Sequence, residues 1–151
     1  MNAPSVLLRW HWRFDVERQN VGGQAVKNAI IDEIRDGWVW MLDDDTVAHP
    51  DVLSTVSECL RRDLSLQAII VGQRRNMRED LVADPGHIVP GFCDVGQAFL
   101  RRDLIGEYRI PIDYNGDGLF LHSVLKGNNR VAYLSDVLSF HNAISGVEVG
   151  V

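Results

Sequence analysis

The stretch Trp38-Val39-Trp40-Met41-Leu42-Asp43-Asp44-Asp45-Thr46 joins five apolar residues directly to three consecutive carboxylates. An apolar run with no wet face predicts a strand in the middle of a covered, parallel sheet. The abrupt change of character puts Asp43, Asp44 and Asp45 at the carboxyl end of that strand, where ligands collect in parallel α/β sheets. Three adjacent carboxylates repel one another and call for a counter-charge. Hard oxygen donors of this kind suit Mg²⁺ or Mn²⁺. The plainer alternative is an acidic turn that caps the next helix, since Asp and Thr are good N-caps.

Outward from this centre, the chain alternates strand and helix patterns. Upstream, Val26, Ala29, Ile30 and Ile34 fall at helical spacing, which predicts a helix over 24–36 with this apolar face inward, ended by Asp36-Gly37. Further upstream, Trp10, Trp12, Phe14 and Val16 alternate with Arg9, His11, Arg13 and Asp15, the period of a half-buried strand. Downstream, His49-Pro50-Asp51 opens a second helix through about Arg62, and residues 66–72 read as another buried strand. A long loop over 74–90 follows, then a short strand at 98–100. Tyr114-Asn115-Gly116-Asp117-Gly118 introduces a helix over 119–126, and residues 131–134 and 137–140 read as two short strands. The expected architecture is an α/β sandwich. The four tryptophans at 10, 12, 38 and 40 read as core residues at strand spacing.

Composition fits one soluble domain over residues 1–151. The chain is 46% apolar and 24% charged, with no run approaching the roughly 20 apolar residues of a bilayer span. Its net charge of -6 discourages binding to nucleic acid. Cys59 and Cys93 lack metal-type spacing, so a reducing compartment is the default. The first residues carry no basic segment and only a short apolar run, unlike a signal peptide. A cytoplasmic location is expected, with association at a membrane surface as the alternative.

An ordered set of segments resembles the central part of family 2 glycosyltransferases, over roughly residues 12–143. These are Asn20-Val-Gly-Gly-Gln-Ala-Val-Lys-Asn28, the apolar strand with its Asp-x-Asp and the following Pro50, and Cys93-Asp-Val-Gly-Gln-Ala-Phe-Leu. Asn115-Gly-Asp-Gly and the segment from Tyr133 through His141 complete the set. The resemblance implies a GT-A sandwich with a mostly parallel central sheet. It implies inverting transfer of a sugar from a nucleotide diphosphate sugar to a saccharide or other acceptor hydroxyl, with Mn²⁺ or Mg²⁺ as cofactor. Under that resemblance Asp43, Asp45 and His141 surround the metal. Asp44, Gly23, Gln24 and Lys27 face the donor, and Asp94, Gln97, Gly116 and Gly118 lie on the acceptor side. Asp117 is the general base, in a segment where the family often has two consecutive acidic residues and this chain has Gly-Asp-Gly. A plain turn and helix cap explains Asp117 without catalysis, a surface position explains Lys27, and Asn28 is expected to bond buried backbone.

Too few residues precede Asn20 for the βαβ unit with which the family begins. The chain is therefore expected to be incomplete at its N-terminus, with an exposed sheet edge covered by a second copy or a partner chain. Two alternatives compete. One is a truncated, non-catalytic remnant or partner-completed binding subunit. The other is a haloacid-dehalogenase-like phosphotransferase, because Asp43-Asp-Asp-Thr-Val47 also satisfies that nucleophile motif, although the expected Ser or Thr and Lys do not follow.

Overall fold

The computed structural model describes residues 23–75, 79–81 and 84–142. The expected strand over 10–16 with its two tryptophans, the turn residues 20–22, and the question of a missing N-terminal unit lie outside them. Among the described residues the elements are α1 (Gln24–Glu33), β1 (Trp38–Trp40), β2 (Val47–Ala48), α2 (Val52–Arg62), β3 (Ala68–Arg75) and β4 (Glu79–Leu81). They continue with β5 (Ala98–Arg101), α3 (Arg102–Ile105), α4 (Gly116–Leu125) and β6 (Val131–His141). None of these helices is long and apolar enough to cross a membrane.

The fold is mixed α/β, and its sheet corrects the expected strand directions. Five strands run in the order β1-β5-β3-β6-β2, and β4 adds to β3. Only β3 and β6 pair in parallel; every other pairing is antiparallel. The mostly parallel sheet is therefore not what these residues form. β1 ends the described order, and β3 takes the central place. The reason is that an apolar run encodes burial on both faces but not direction. β5 enters the sheet reversed, between β1 and β3, and reverses the pairing on both of its sides.

Alternation across the strands divides the core into two layers. Ala68 and Ile70 of β3, Val39 of β1 and Ala98 and Leu100 of β5 face one side, with Ile31 of α1 and Phe120, Leu121 and Val124 of α4. Ile69, Val71 and Phe99 face the other, against Val52 and Val56 of α2. Trp38 and Trp40, expected in the core, are half-buried and pack against this second layer from its margin. Trp40 stacks on Phe99 at 4.6 Å between ring centroids and donates its indole N–H to the Gly96 carbonyl.

The two short strands expected at 131–134 and 137–140 are one strand, β6, whose register against β3 shifts on either side of Gly72. Val71 pairs with Leu134 but Gly72 pairs with Val137, so Ser135 and Asp136 are extra residues on β6. A Cβ at Gly72 would lie 2.9 Å from the Asp136 carbonyl oxygen, so glycine is what lets the bulge close. Beyond the shifts, the end of β6, which leads into His141, pairs with β2.

Helix α1 is also rotated from expectation. Its buried residues are Gln24, Lys27 and Ile31, while Val26, Ala29 and Ile30 are only half-buried. The helix ends at Glu33, before Asp36-Gly37, and the Arg102 guanidinium caps it by donating to the Ile34 carbonyl. Asn28 grips buried backbone, as its position suggested. Its amide nitrogen donates to the Ile110 carbonyl and its oxygen accepts from the Ile110 N–H, both at 2.8 Å. Gln24 donates to the Asp113 carbonyl, and Arg109 pairs with Asp32. These links strap α1 to the segment leading into α4.

Candidate metal and carboxylate site

Five segments converge at one end of the sheet. Asp43 follows β1, and a turn closed by the Thr46 N–H on the Asp43 carbonyl carries Asp45 back into the cluster. β2 pairs with the end of β6, Val47 opposite Phe140 and Ala48 opposite Ser139, which brings His141 beside that turn. His141 Nδ1 lies 3.3 Å from Thr46 Oγ1 and 3.6 Å from Asp45 Oδ1. Asp94 caps the 3-10 turn Val95–Gln97 that precedes β5. Asp117 sits in the first turn of α4, where the positive end of the helix dipole favours a carboxylate. Lys27 reaches in from α1.

Asp43, Asp94 and His141 each offer a ligand atom, and the three atoms lie within 4.8 Å of one another. Two carboxylates and an imidazole at that spacing fit a divalent cation, and the pairing of oxygen with nitrogen donors suits Mn²⁺ better than Mg²⁺. Asp45 meets His141 but is not part of this closest group. Asp44 is exposed at the tip of the turn.

Charge is unbalanced here. Lys27 Nζ lies 2.8 Å from Asp43 Oδ1 and 3.7 Å from Asp117 Oδ2. Among the described residues this single ammonium bridges two carboxylates, while Asp45 Oδ1 and Asp117 Oδ1 are buried without a hydrogen-bond partner. Burial pushes the Asp43 carboxyl above its ordinary value, against the pull of Lys27. Burial does the same to Asp117, again opposed by Lys27, with Asp94 and Asp43 adding to the rise. Burial draws Lys27 downward, but Asp43 and Asp117 outweigh it and leave the ammonium above its ordinary value. Burial thus dominates the two carboxyl shifts, and neighbouring carboxylates add to both; a bound cation would favour their charged forms.

A polar frame holds Asp94. Its Oδ1 accepts from the Gly96 N–H at 2.7 Å and from Gln73 Nε2 at 3.2 Å. Gln97 completes a capping box by accepting from the Asp94 N–H, and donates to the Val71 carbonyl. Gln97 is thus fully engaged in holding backbone. Gly116 and Gly118 have packing reasons of their own. A Cβ at Gly116 would run into the Pro111 carbonyl, and one at Gly118 would lie 2.6 Å from Pro90 Cα. Gly23, at φ +67, starts α1 in a conformation suited to glycine.

Sequence reasoning placed Asp94 away from the metal and left Lys27 between two roles. The signals were present: Asp94-Val-Gly-Gln97 is a capping-box string that fixes the Asp in place. Lys27 lies three residues after Gln24 and four before Ile31, on the face that proves buried. Gln73, fully buried at the end of the apolar run of β3, was missed. An open groove of about 760 Å³ between α2 and β6, lined by Thr55, Cys59, Arg62 and Leu134 among others, shares no residue with the cluster. It holds none of the converging carboxylates. The chain matches no known family model and no curated protein.

Proposed function

We propose that this chain is a GT-A-like, metal-dependent glycosyltransferase domain that moves a sugar from a nucleotide diphosphate sugar to an acceptor hydroxyl. The observation that carries the reading is the convergence of Asp43, Asp94 and His141 with Asp117 and Lys27, from five separate segments, at one end of the sheet. Asp43, Asp94 and His141 would hold the divalent cation, with Asp45 beside the imidazole. The cation supplies charge stabilisation to a diphosphate leaving group. Asp117 would accept the proton of the attacking hydroxyl, and its raised proton affinity makes it a stronger base than an exposed carboxylate. Its unpartnered Oδ1 leaves an acceptor position for that proton. Attack from the side opposite the leaving group would invert the anomeric carbon.

A second reading has its own support. Lys27 already neutralises part of the cluster at 2.8 Å from Asp43, as a non-catalytic remnant with a purely structural ion cluster would require. A panel of nucleotide sugars with Mn²⁺ separates the two. The catalytic reading expects release of nucleoside diphosphate that is lost in Asp117→Ala while the variant stays folded. No release from the folded wild-type chain on any donor would favour the remnant.

A further inference from the structure

We propose that Lys27 is the site's resident counter-ion, displaced from Asp43 when a divalent cation binds, so that ammonium and metal compete for the same carboxylate. The inference rests on the reading of this cluster as a metal site and concerns how that site is kept ready. Lys27 Nζ and the ligand group Asp43-Asp94-His141 share Asp43, whose Oδ1 the ammonium holds at 2.8 Å. A cation drawing on that carboxylate weakens the bond to Lys27, because one carboxylate charge would serve two cations.

The choice of residue supports this role. Of the 15 basic residues only Lys27 and Lys126 are lysines, and Lys126 is exposed just beyond α4. A guanidinium would lock Asp43 in a planar, two-pronged grip. An ammonium is a compact point charge on a flexible stem, which a metal ion can replace. Asp117 lies 3.7 Å from the same Nζ, so the displaced ammonium has a carboxylate to move to without leaving the site.

A separate observation points to a ligand. Gln73 has no exposed surface; its amide reaches Asp94 at 3.2 Å while its own Oε1 has no partner. A fully buried amide with a free acceptor, bonded to a member of the ligand group, is the kind of frame that orients a metal ligand from behind. Without a cation, Lys27 offsets part of the buried charge that would otherwise oppose folding.

The test is calorimetric titration of Mn²⁺ into the wild-type chain, Lys27→Met and Lys27→Gln, with Lys126→Gln as a control. Competition predicts binding about tenfold tighter or more in both Lys27 variants and unchanged affinity in the control. It also predicts that Mn²⁺ raises the unfolding midpoint of the Lys27 variants more than that of the wild type. Should Lys27→Met fold only with Mn²⁺ present, that result supports the proposal. If it does not fold at all, Lys27→Gln decides.

In the wild-type chain, which has two lysines, side-chain ¹⁵N spectra should give one ammonium signal for each. Diamagnetic Mg²⁺ should shift the Lys27 ammonium signal and speed its hydrogen exchange, leaving Lys126 unmoved. Saturable Mn²⁺ binding with equal or weaker affinity in the Lys27 variants, or an unmoved Lys27 signal at saturating metal, overturns the displacement and leaves the metal site standing. No binding to any folded variant overturns both.

Discussion

Replacing Asn28 by Ala should cost this fold far more than its half-exposed place on α1 implies. The side chain makes both hydrogen bonds available to the backbone of Ile110, accepting from its N–H and donating to its C=O at 2.8 Å each. Ile110 is 1% exposed, so water reaches the abandoned groups poorly. An unsatisfied buried group costs about 1–3 kcal/mol, and the bonds here are only part-buried, so the pair is worth roughly 2–4 kcal/mol. With a urea slope of about 2 kcal/mol/M, the middle of the range for small proteins, the midpoint should fall by roughly 1–2 M. Asn28→Asp separates the two halves: it keeps the acceptor for the N–H but sets a carboxylate against the carbonyl, so it should lose at least as much as one bond. The consequence reaches the site, because Ile110 leads through Pro111 and Asp113 to Asp117, while Lys27 neighbours Asn28. Mn²⁺ binding should weaken along with stability. A loss under about 0.5 kcal/mol in Asn28→Ala, the range of an ordinary surface change, would refute the reasoning.

Two other perturbations test the packing and the electrostatics. Gly118→Ala places a Cβ 2.6 Å from Pro90 Cα, a backbone atom that cannot rotate away, and should destabilise by about 1–3 kcal/mol in thermal or urea unfolding; an unchanged midpoint would mean that the 88–92 segment yields freely. Burial raises the Cys93 thiol from 9.0 to about 11, so between those values the folded chain keeps a proton that the unfolded chain has lost. Stability should therefore fall as pH climbs from about 9 toward about 11, and Cys93→Ala should lack that part of the slope. In native labelling, half-buried Cys59 should react with iodoacetamide before Cys93.

The parts of the fold written as apolar runs were legible, and the parts written in polar residues were not. Residues 68–72 are buried on both faces because nothing in Ala-Ile-Ile-Val-Gly tolerates water, and the run alone says so. The same kind of run at 38–42 did not reveal that β1 lies at the end of the described sheet or that its neighbour runs antiparallel. Those facts depend on where β5, 60 residues later in register with it, inserts. Helix α1 was read from Val26, Ala29, Ile30 and Ile34. Its buried face instead carries Gln24 and Lys27, which bury for the sake of partners far along the chain. Ser135-Asp136, left between two expected strands, is a bulge within one strand, for which Gly72 on the facing strand makes room.

At the site, the three adjacent aspartates could be singled out from local pattern, whereas the strand-end His141 was singled out only by the resemblance. Asp94 could be recognised as a cap but not as a neighbour of Asp43. The sheet order that brings the start of β5 beside the ends of β1 and β6 is a property of the whole chain.

The central claim is a cation-dependent site for a nucleoside diphosphate, and calorimetry tests it most directly. UDP and GDP would be titrated with and without Mn²⁺ into the wild-type chain and into Asp43→Ala/Asp45→Ala. The account predicts saturable binding that requires Mn²⁺ and disappears in the folded double variant. Binding indifferent to the metal or to the two aspartates, or none to the folded wild type, would contradict it.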